Sequence, residues 1–233
     1  MVLFLKPLSS NLNQHIERMS HTDYHSLHCQ RNEVETDCSL KIRQKQNRSQ
    51  ETIMNRFSQF ISATINTFEA NKKMAERAVE QVSDEGLHVA LDDHTNSIAV
   101  IMKHVAGNLI SRWTDFLTTD GEKPDRNRDE EFVDTFSERA ELLAYWERGW
   151  TTLLESLKSL TADDLEKTVY IRGDAHTVPL AIQRSLGHTC YHVGQIVQVA
   201  RVQAGDNWNT LTIPRGQSEE FNQKHWGDRK SQP

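Results

Sequence analysis

The segment L-G-H-T-C-Y-H-V-G-Q-I, residues 186–196, holds two histidines whose spacing suits metal binding. His188 and His192 are four residues apart, so on a helix their side chains are neighbours on one face. The surrounding helix is largely apolar, which predicts that both rings are buried. Because an unsatisfied buried polar group costs about 1–3 kcal/mol, both imidazoles need partners. Either carbonyl and hydroxyl groups of the protein bind them or a metal ion does, and the spacing alone leaves both interpretations open.

A metal site would need a third ligand from another segment. Among the other histidines after residue 53, only His104 lies inside a predicted buried helix, at the edge of its apolar stripe. Three histidines with no cysteine or carboxylate leave coordination positions open, which is typical of catalytic metal sites. Imidazole ligands suit zinc, nickel or iron. Cys190 lies between the two histidines in sequence but about 160° away around the helix, so it is not predicted to be a ligand.

Four segments with apolar residues at helical spacing would position these side chains. They run from Ile53 to about Ser83, from Asn96 to about Phe116, from about Ser137 to Leu160, and from Thr177 to about Gln203. Residues 168–178, T-V-Y-I-R-G-D-A-H-T-V, predict two short strands around a turn at Gly173-Asp174. The sequence therefore predicts an all-α protein, a four-helix bundle with a small β-hairpin between the third and fourth helices.

Local signals mark the ends of these helices. Asn96 and Thr177 are predicted N-caps of the second and fourth helices, and Gly205 is predicted to end the fourth. The tail, residues 208–222, has too few apolar residues to predict a fifth helix.

Residues 1–53 differ from the rest of the chain. They are polar, with no sustained periodicity, and cannot bury enough apolar surface to offset the entropy of ordering them. We predict a disordered N-terminal extension over residues 1–53 and a single helical domain over residues 54–233. The alternative interpretation is that residues 1–53 lie upstream of a true start at Met54.

Composition and charge exclude several classes of protein. The formal net charge is −6. Residues 1–53 hold 7 Lys/Arg and 6 Asp/Glu, which leaves 20 against 27, or −7, for residues 54–233. An acidic body without a basic stripe argues against nucleic-acid binding. No apolar run approaches the roughly 20 residues that span a bilayer. The apolar stretch of the opening segment is too short for a signal peptide. Three cysteines make no disulfide framework. We expect a cytoplasmic protein with a small-molecule substrate.

Two segments carry a resemblance to a known superfamily. Residues 96–108, N-S-I-A-V-I-M-K-H-V-A-G-N, and residues 188–196, H-T-C-Y-H-V-G-Q-I, resemble the DinB/YfiT-like superfamily, four-helix-bundle proteins built around a three-histidine metal site. The likeness covers about residues 54–225. Residues 111–132 and 211–222 are similar to one subgroup whose function is largely unassigned. The resemblance implies a divalent metal held by His104, His188 and His192, and a homodimer.

The resemblance also implies a range of activities. Characterised members of the superfamily include S-transferases that use low-molecular-weight thiols, such as bacillithiol, and mycothiol-dependent isomerases. For this chain the leading expectation is an S-transferase, in which a metal activates the thiol as a thiolate to attack a small electrophile. A metal-dependent hydrolase that activates water is the alternative. A non-catalytic metal- or ligand-binding bundle in a stress response is a third interpretation.

Three further side chains are predicted to face the metal or the substrate. Asn108 follows His104 by four residues, and Gln195 follows His192 by three, so each shares a helix face with a proposed ligand. Such amides can orient imidazole ligands, although Gln195 could equally bond a neighbouring helix. Arg215, in P-R-G-Q-S, lies in a tail that could fold over the end of the bundle and hold a substrate carboxylate.

Overall fold

The fold is known from a computed structural model, which describes the backbone of residues 21–226 and the side chains of residues 43–226. The chain divides between Arg56 and Phe57 into two units. Residues 1–20, which open the predicted disordered extension, lie outside the described residues.

Most of the described chain is helical. Its helices are α1 (His21–Val79), α2 (Asp84–His88), α3 (Ile98–Trp113), α4 (Arg139–Ser159), α5 (Val178–Ala204) and α6 (Ser218–Trp226). Short 3-10 turns cover Asp129–Phe132, Asp163–Glu166 and Gly205–Asn207. The strands β1 (Thr168–Ile171) and β2 (Asp174–Thr177) pair antiparallel. A mostly helical fold with one small hairpin before α5 is thus confirmed, whereas the bundle arrangement stays a prediction. Within residues 21–226, no helix combines the length and the apolar character needed to cross a membrane.

The first unit is described by a single helical segment. α1 begins at His21, well before Ile53, where the apolar pattern starts. Side chains 43–56 are all exposed, so this part of α1 gains no stability from burial. Disorder of residues 1–53 in solution therefore stays a prediction.

Several predicted helix ends shift by a few residues. α1 ends at Val79, and the separate helix α2 follows, with Ser83 as its N-cap. The N-cap of α3 is Ser97 rather than Asn96, because the Ser97 hydroxyl accepts a hydrogen bond from the Val100 amide at 3.3 Å. Asparagine and serine are both good N-cap residues, so the sequence alone could not decide between the adjacent Asn96 and Ser97.

The ends of α5 confirm the sequence analysis. The Thr177 hydroxyl accepts a hydrogen bond from the Leu180 amide at 3.3 Å, and Gly205, with φ of 53°, caps the other end. In the hairpin before it, the turn lies one residue earlier than predicted: Arg172 and Gly173 have φ of 58° and 78°. Positive φ at both positions is the two-residue turn that suits the twist of a hairpin.

The tail contains a helix that the sequence analysis did not predict. α6 covers Ser218–Trp226 and buries none of its residues. A prediction based on the number of apolar residues therefore could not detect this helix. Its charges favour a helix instead: Glu219 and Glu220 lie in the first turn, Lys224 and His225 in the last. Acidic side chains near the N-terminus and basic side chains near the C-terminus interact favourably with the partial charges of the helix dipole.

The core of the second unit lies between α3, α4, α5 and the part of α1 after Phe57. The edge of Phe68 in α1 packs on Trp113 of α3 and Trp150 of α4, with ring centroids 6.5 and 6.3 Å apart. Gly149 allows α3 and α4 to approach closely, since a Cβ there would lie 2.8 Å from the Ala106 Cα. This packing fixes the position of α3, which carries His104.

Candidate metal centre

Three histidines from two helices meet in the second unit. α3 supplies His104, and α5 supplies His188 and His192. One nitrogen atom from each ring lies within 4.8 Å of the others, and the Nε2 atoms of His104 and His188 are 3.2 Å apart. The predicted convergence of these three residues is confirmed, and the group can hold a metal ion.

His104 is the most deeply buried of the three, with 3% of its surface exposed. Its Nδ1 lies 2.9 Å from Oε2 of Glu131, and its ring stacks on Phe132 with centroids 4.6 Å apart. A carboxylate accepts a hydrogen bond, so Nδ1 carries a proton, and the tautomer that binds a metal keeps its lone pair on Nε2. The lone pair is thus on the nitrogen that faces His188.

Glu131 is itself held by a buried guanidinium. Arg126 donates from Nε to Oε1 and from Nη2 to Oε2, both at 2.7 Å. Burial opposes ionisation of Glu131, but the hydrogen bonds from His104 and Arg126 outweigh it and lower the pKa of the carboxyl group. The carboxylate is therefore ionised at neutral pH and is a strong acceptor for the His104 ring.

The 3-10 turn Asp129–Phe132 is anchored against α3 on both sides of His104. Lys103 donates to the carbonyl oxygens of Glu130 and Val133 at 2.7 and 2.8 Å. One turn after Lys103, Gly107 leaves room for Glu131, because a Cβ there would lie 2.5 Å from Oε1. The missing side chain at residue 107 thus lets the carboxylate reach His104.

His192 has a different partner. Its Nδ1 lies 2.7 Å from Oε1 of Gln195, whose amide nitrogen donates to the Tyr191 hydroxyl at 3.1 Å. Since the Gln195 oxygen accepts, His192 carries its proton on Nδ1 and keeps a lone pair on Nε2. Burial lowers the pKa of His192 despite this hydrogen bond, so the ring is neutral at pH 7.

His188 is the least satisfied of the three. Its Nδ1 is buried and has no hydrogen-bond partner in the described structure. Burial, and after it the neighbouring His192 and His104, lower the pKa of His188 to about 3, so this ring is also neutral. Lone pairs on the facing Nε2 atoms of His104 and His188 repel each other at 3.2 Å unless a proton or a cation lies between them. A cation fits this donor set.

A cavity of about 180 Å³ opens beside the cluster, and His104 and His188 both line it. Asn108 lines the same cavity and is buried, as its position one turn after His104 predicts. Arg215 is exposed and is not among the lining residues. Cys190 is exposed and lies outside the histidine group.

Glu131 and Phe132 were not predicted as site residues from the sequence. Both belong to R-N-R-D-E-E-F, which has no periodic pattern and reads as a loop. One signal was present: Gly107 lies in the interior of the predicted second helix, and a glycine in a helix interior often marks a close approach. The glycine alone does not show which residue packs against it.

Comparison with known proteins identifies a family for most of the chain. Residues 55–217 match a family model described as a protein of unknown function, DUF1572. The chain belongs to the DUF1572 family. The match includes all three histidines and Glu131. No curated protein matches the chain.

Proposed function

We propose that this DUF1572 protein is a divalent-metal-dependent enzyme, an S-transferase that joins a low-molecular-weight thiol to a small electrophile. The observation that carries the proposal is the meeting of three imidazoles beside a cavity, with no thiolate or carboxylate in the group. Structural metal sites use four protein ligands, whereas three ligands next to a cavity are typical of catalytic sites.

The ligand set determines the chemistry that a metal would supply. A divalent cation bound by neutral histidines keeps its full charge, so it would lower the pKa of a coordinated thiol or water and make either one nucleophilic near pH 7. His104, His188 and His192 would hold the cation. Glu131 would keep the His104 ring in one orientation and raise its basicity, and Gln195 would do the same for His192.

The cavity would bind the substrate next to the ligands. Asn108 offers a carboxamide at its wall, and Trp113 and Phe116 offer apolar surface for the body of a small molecule. Two aromatic walls beside a polar end suit a compound that must be desolvated before it reacts. Arg215 could contribute only if the tail moved, and we keep its role as a prediction.

We further infer that residues 54–233 form a four-helix bundle of the DinB/YfiT-like type, built from α1, α3, α4 and α5. The shared core of these helices and the histidines on α3 and α5 support this inference. We also propose that the protein is a homodimer. We propose a cytoplasmic location because the three cysteines, Cys29, Cys38 and Cys190, make no disulfide framework.

Elemental analysis of tag-free protein tests the metal centre. Wild type should contain about one zinc, nickel or iron per chain, and His104→Ala, His188→Ala and His192→Ala should each lose most of it. His94→Ala is the control, because His94 is an exposed loop histidine outside the cluster. Equal metal content in wild type and all three cluster variants would refute the proposed centre.

An activity assay then separates the reaction classes. The transferase should consume a small electrophile only when a low-molecular-weight thiol is added. Turnover of an activated ester without thiol would instead identify a hydrolase. Metal binding with neither activity, across a panel of thiols, would favour a non-catalytic binding protein.

A further inference from the structure

The cavity beside the histidines is strongly basic. Four arginines line it: Arg112, Arg128, Arg172 and Arg184. None of the described residues that line it is an Asp or a Glu. Four guanidinium groups around about 180 Å³ create a positive potential in the cavity.

The nearby carboxylates neutralise these arginines only in part. Oε2 of Glu122 lies 3.1 Å from Arg112, 3.0 Å from Arg126 and 3.3 Å from Arg172, so one carboxylate is shared among three guanidinium groups. Glu131 is buried and bound by Arg126 and His104, and Asp120 accepts hydrogen bonds from the backbone amides of Arg172 and Gly173. Arg128 and Arg184 have no carboxylate among these partners. Positive charge therefore remains on the cavity side.

Arg112 has donor capacity that the protein does not use. Its side chain is 12% exposed, and burial lowers its pKa while Glu122 offsets this only in part. Nη1 lies 3.1 Å from Oε2 of Glu122 in an ion pair, but this buried nitrogen makes no well-formed hydrogen bond in the described structure. A buried N–H group without a well-aligned acceptor is costly, and an oxygen atom of a ligand in the cavity would supply one.

Arg128 and Arg184 are also available to a ligand. Neither makes an ion pair with a carboxylate in the part of the chain that the structure describes. Arg128 stacks over Phe132 at 5.0 Å, and Arg184 donates to Nε2 of His176 at 2.9 Å. Both contacts orient a guanidinium without cancelling its charge.

We propose that this cavity binds an oxyanion of the substrate, a carboxylate or a phosphate group, so that the reacting part of the molecule lies at the three histidines. The substrate assignment rests on the proposed function, whereas the anion site itself rests on the arginines alone. Guanidinium groups match carboxylate and phosphate oxygens in pairs, which gives orientation as well as affinity. The small volume favours one anionic group attached to a short molecule over a large cofactor.

Calorimetric titration of inorganic phosphate and of acetate at low ionic strength tests the anion site. Metal-free wild type should bind at least one of them at millimolar concentration or below. Arg172→Gln and Arg184→Gln should each weaken binding about tenfold, as expected for the loss of a charge-assisted hydrogen bond. Both side chains are exposed enough for the variants to fold. Tighter binding of phosphate would point to a phosphorylated substrate, and tighter binding of acetate to a carboxylic acid.

Arg201→Gln is the matched control, because Arg201 is an exposed arginine on α5, like Arg184, but does not line the cavity. Its affinity for the anion should equal that of wild type. No binding by wild type, or equal weakening in all three variants, would overturn the inference.

The same titrations separate this inference from the proposed function. If the metal-free protein binds the anion through Arg172 and Arg184 but no metal binds the histidines, the anion site stands and the proposed reaction fails. If acetate binds only zinc-loaded protein, and does so equally in both arginine variants, the inference fails while the metal centre stands.

Discussion

His104 and His192 are held by supports of different strength on two sides of one cluster. The support of His104 is charged and buried: Glu131 is 5% exposed, accepts from the ring and is bound twice by Arg126. The support of His192 is neutral and half-buried: Gln195 accepts from the ring and donates to the exposed Tyr191. A charged hydrogen bond away from water is worth more than a neutral one near it, so His104 should be the more rigidly placed ligand.

Glu131→Gln should break the stronger support and have the largest effect. The amide can still accept from His104, but it loses the charge that fixes the ring, and we expect about 10- to 100-fold weaker zinc binding. Competition with a chromogenic chelator would measure it. Because the change leaves Arg126 with less compensation, circular dichroism must first show that the variant is folded. Unchanged affinity in folded protein would mean that Glu131 does not orient the ligand.

Gly107→Ala should disturb the same support without changing any charge. The new Cβ would lie 2.5 Å from Oε1 of Glu131, so the carboxylate has to move, and we expect zinc affinity to fall about tenfold. Gly187→Ala is the control, since a Cβ there would meet no other part of the described protein within 4 Å beyond its own helix backbone and chain neighbours. That change should leave zinc binding intact and stabilise α5 by about 0.5–1 kcal/mol. Equal zinc affinity in both variants would show that the close approach is not needed.

Gln195→Ala should have a smaller effect, because it removes one neutral, half-buried hydrogen bond. A net value of about 0.5–1.5 kcal/mol corresponds to a loss of roughly 2- to 12-fold in zinc affinity. Gln195→Glu sharpens the comparison, since it places a carboxylate beside His192 as Glu131 lies beside His104. We expect this variant to bind zinc at least as tightly as wild type; weaker binding than in Gln195→Ala would contradict the proposed role of the support.

His188 has no hydrogen-bonding partner at Nδ1 among the described residues, and its burial should make the stability of the metal-free protein depend on pH. Its pKa is about 3 in the folded protein and about 6.5 in the unfolded chain, so between these values only the unfolded chain binds the proton. The stability of metal-free protein should therefore fall as the pH drops below about 6.5 and continue to fall towards pH 3. Melting temperatures at pH 5 and pH 7.5 would show this, and His188→Leu should flatten the difference. An equally steep dependence in that variant would assign the proton to another group.

Periodicity predicted the parts of the fold that local sequence determines. Apolar residues at helical spacing located α3, α4 and α5 to within a few residues, and Thr177 and Gly205 marked both ends of α5 because caps act through neighbouring backbone groups. α6 was missed because its helix signal is in its charges, with no apolar face to bury. α1 extends to His21 beyond the apolar pattern that begins near Ile53, since a helical backbone needs no buried face in order to continue.

The sequence by itself determined which histidines can meet. A four-residue spacing puts His188 and His192 on one helix face, and burial selects His104 among the remaining candidates. Tertiary structure alone decided what surrounds them: Glu131 reaches His104 across 27 residues of chain, and Arg172 and Arg184 reach the cavity from the hairpin and α5. Helix periodicity fixes directions within one element, whereas a loop has no period, so its contacts exist only once the packed helices provide a surface for it.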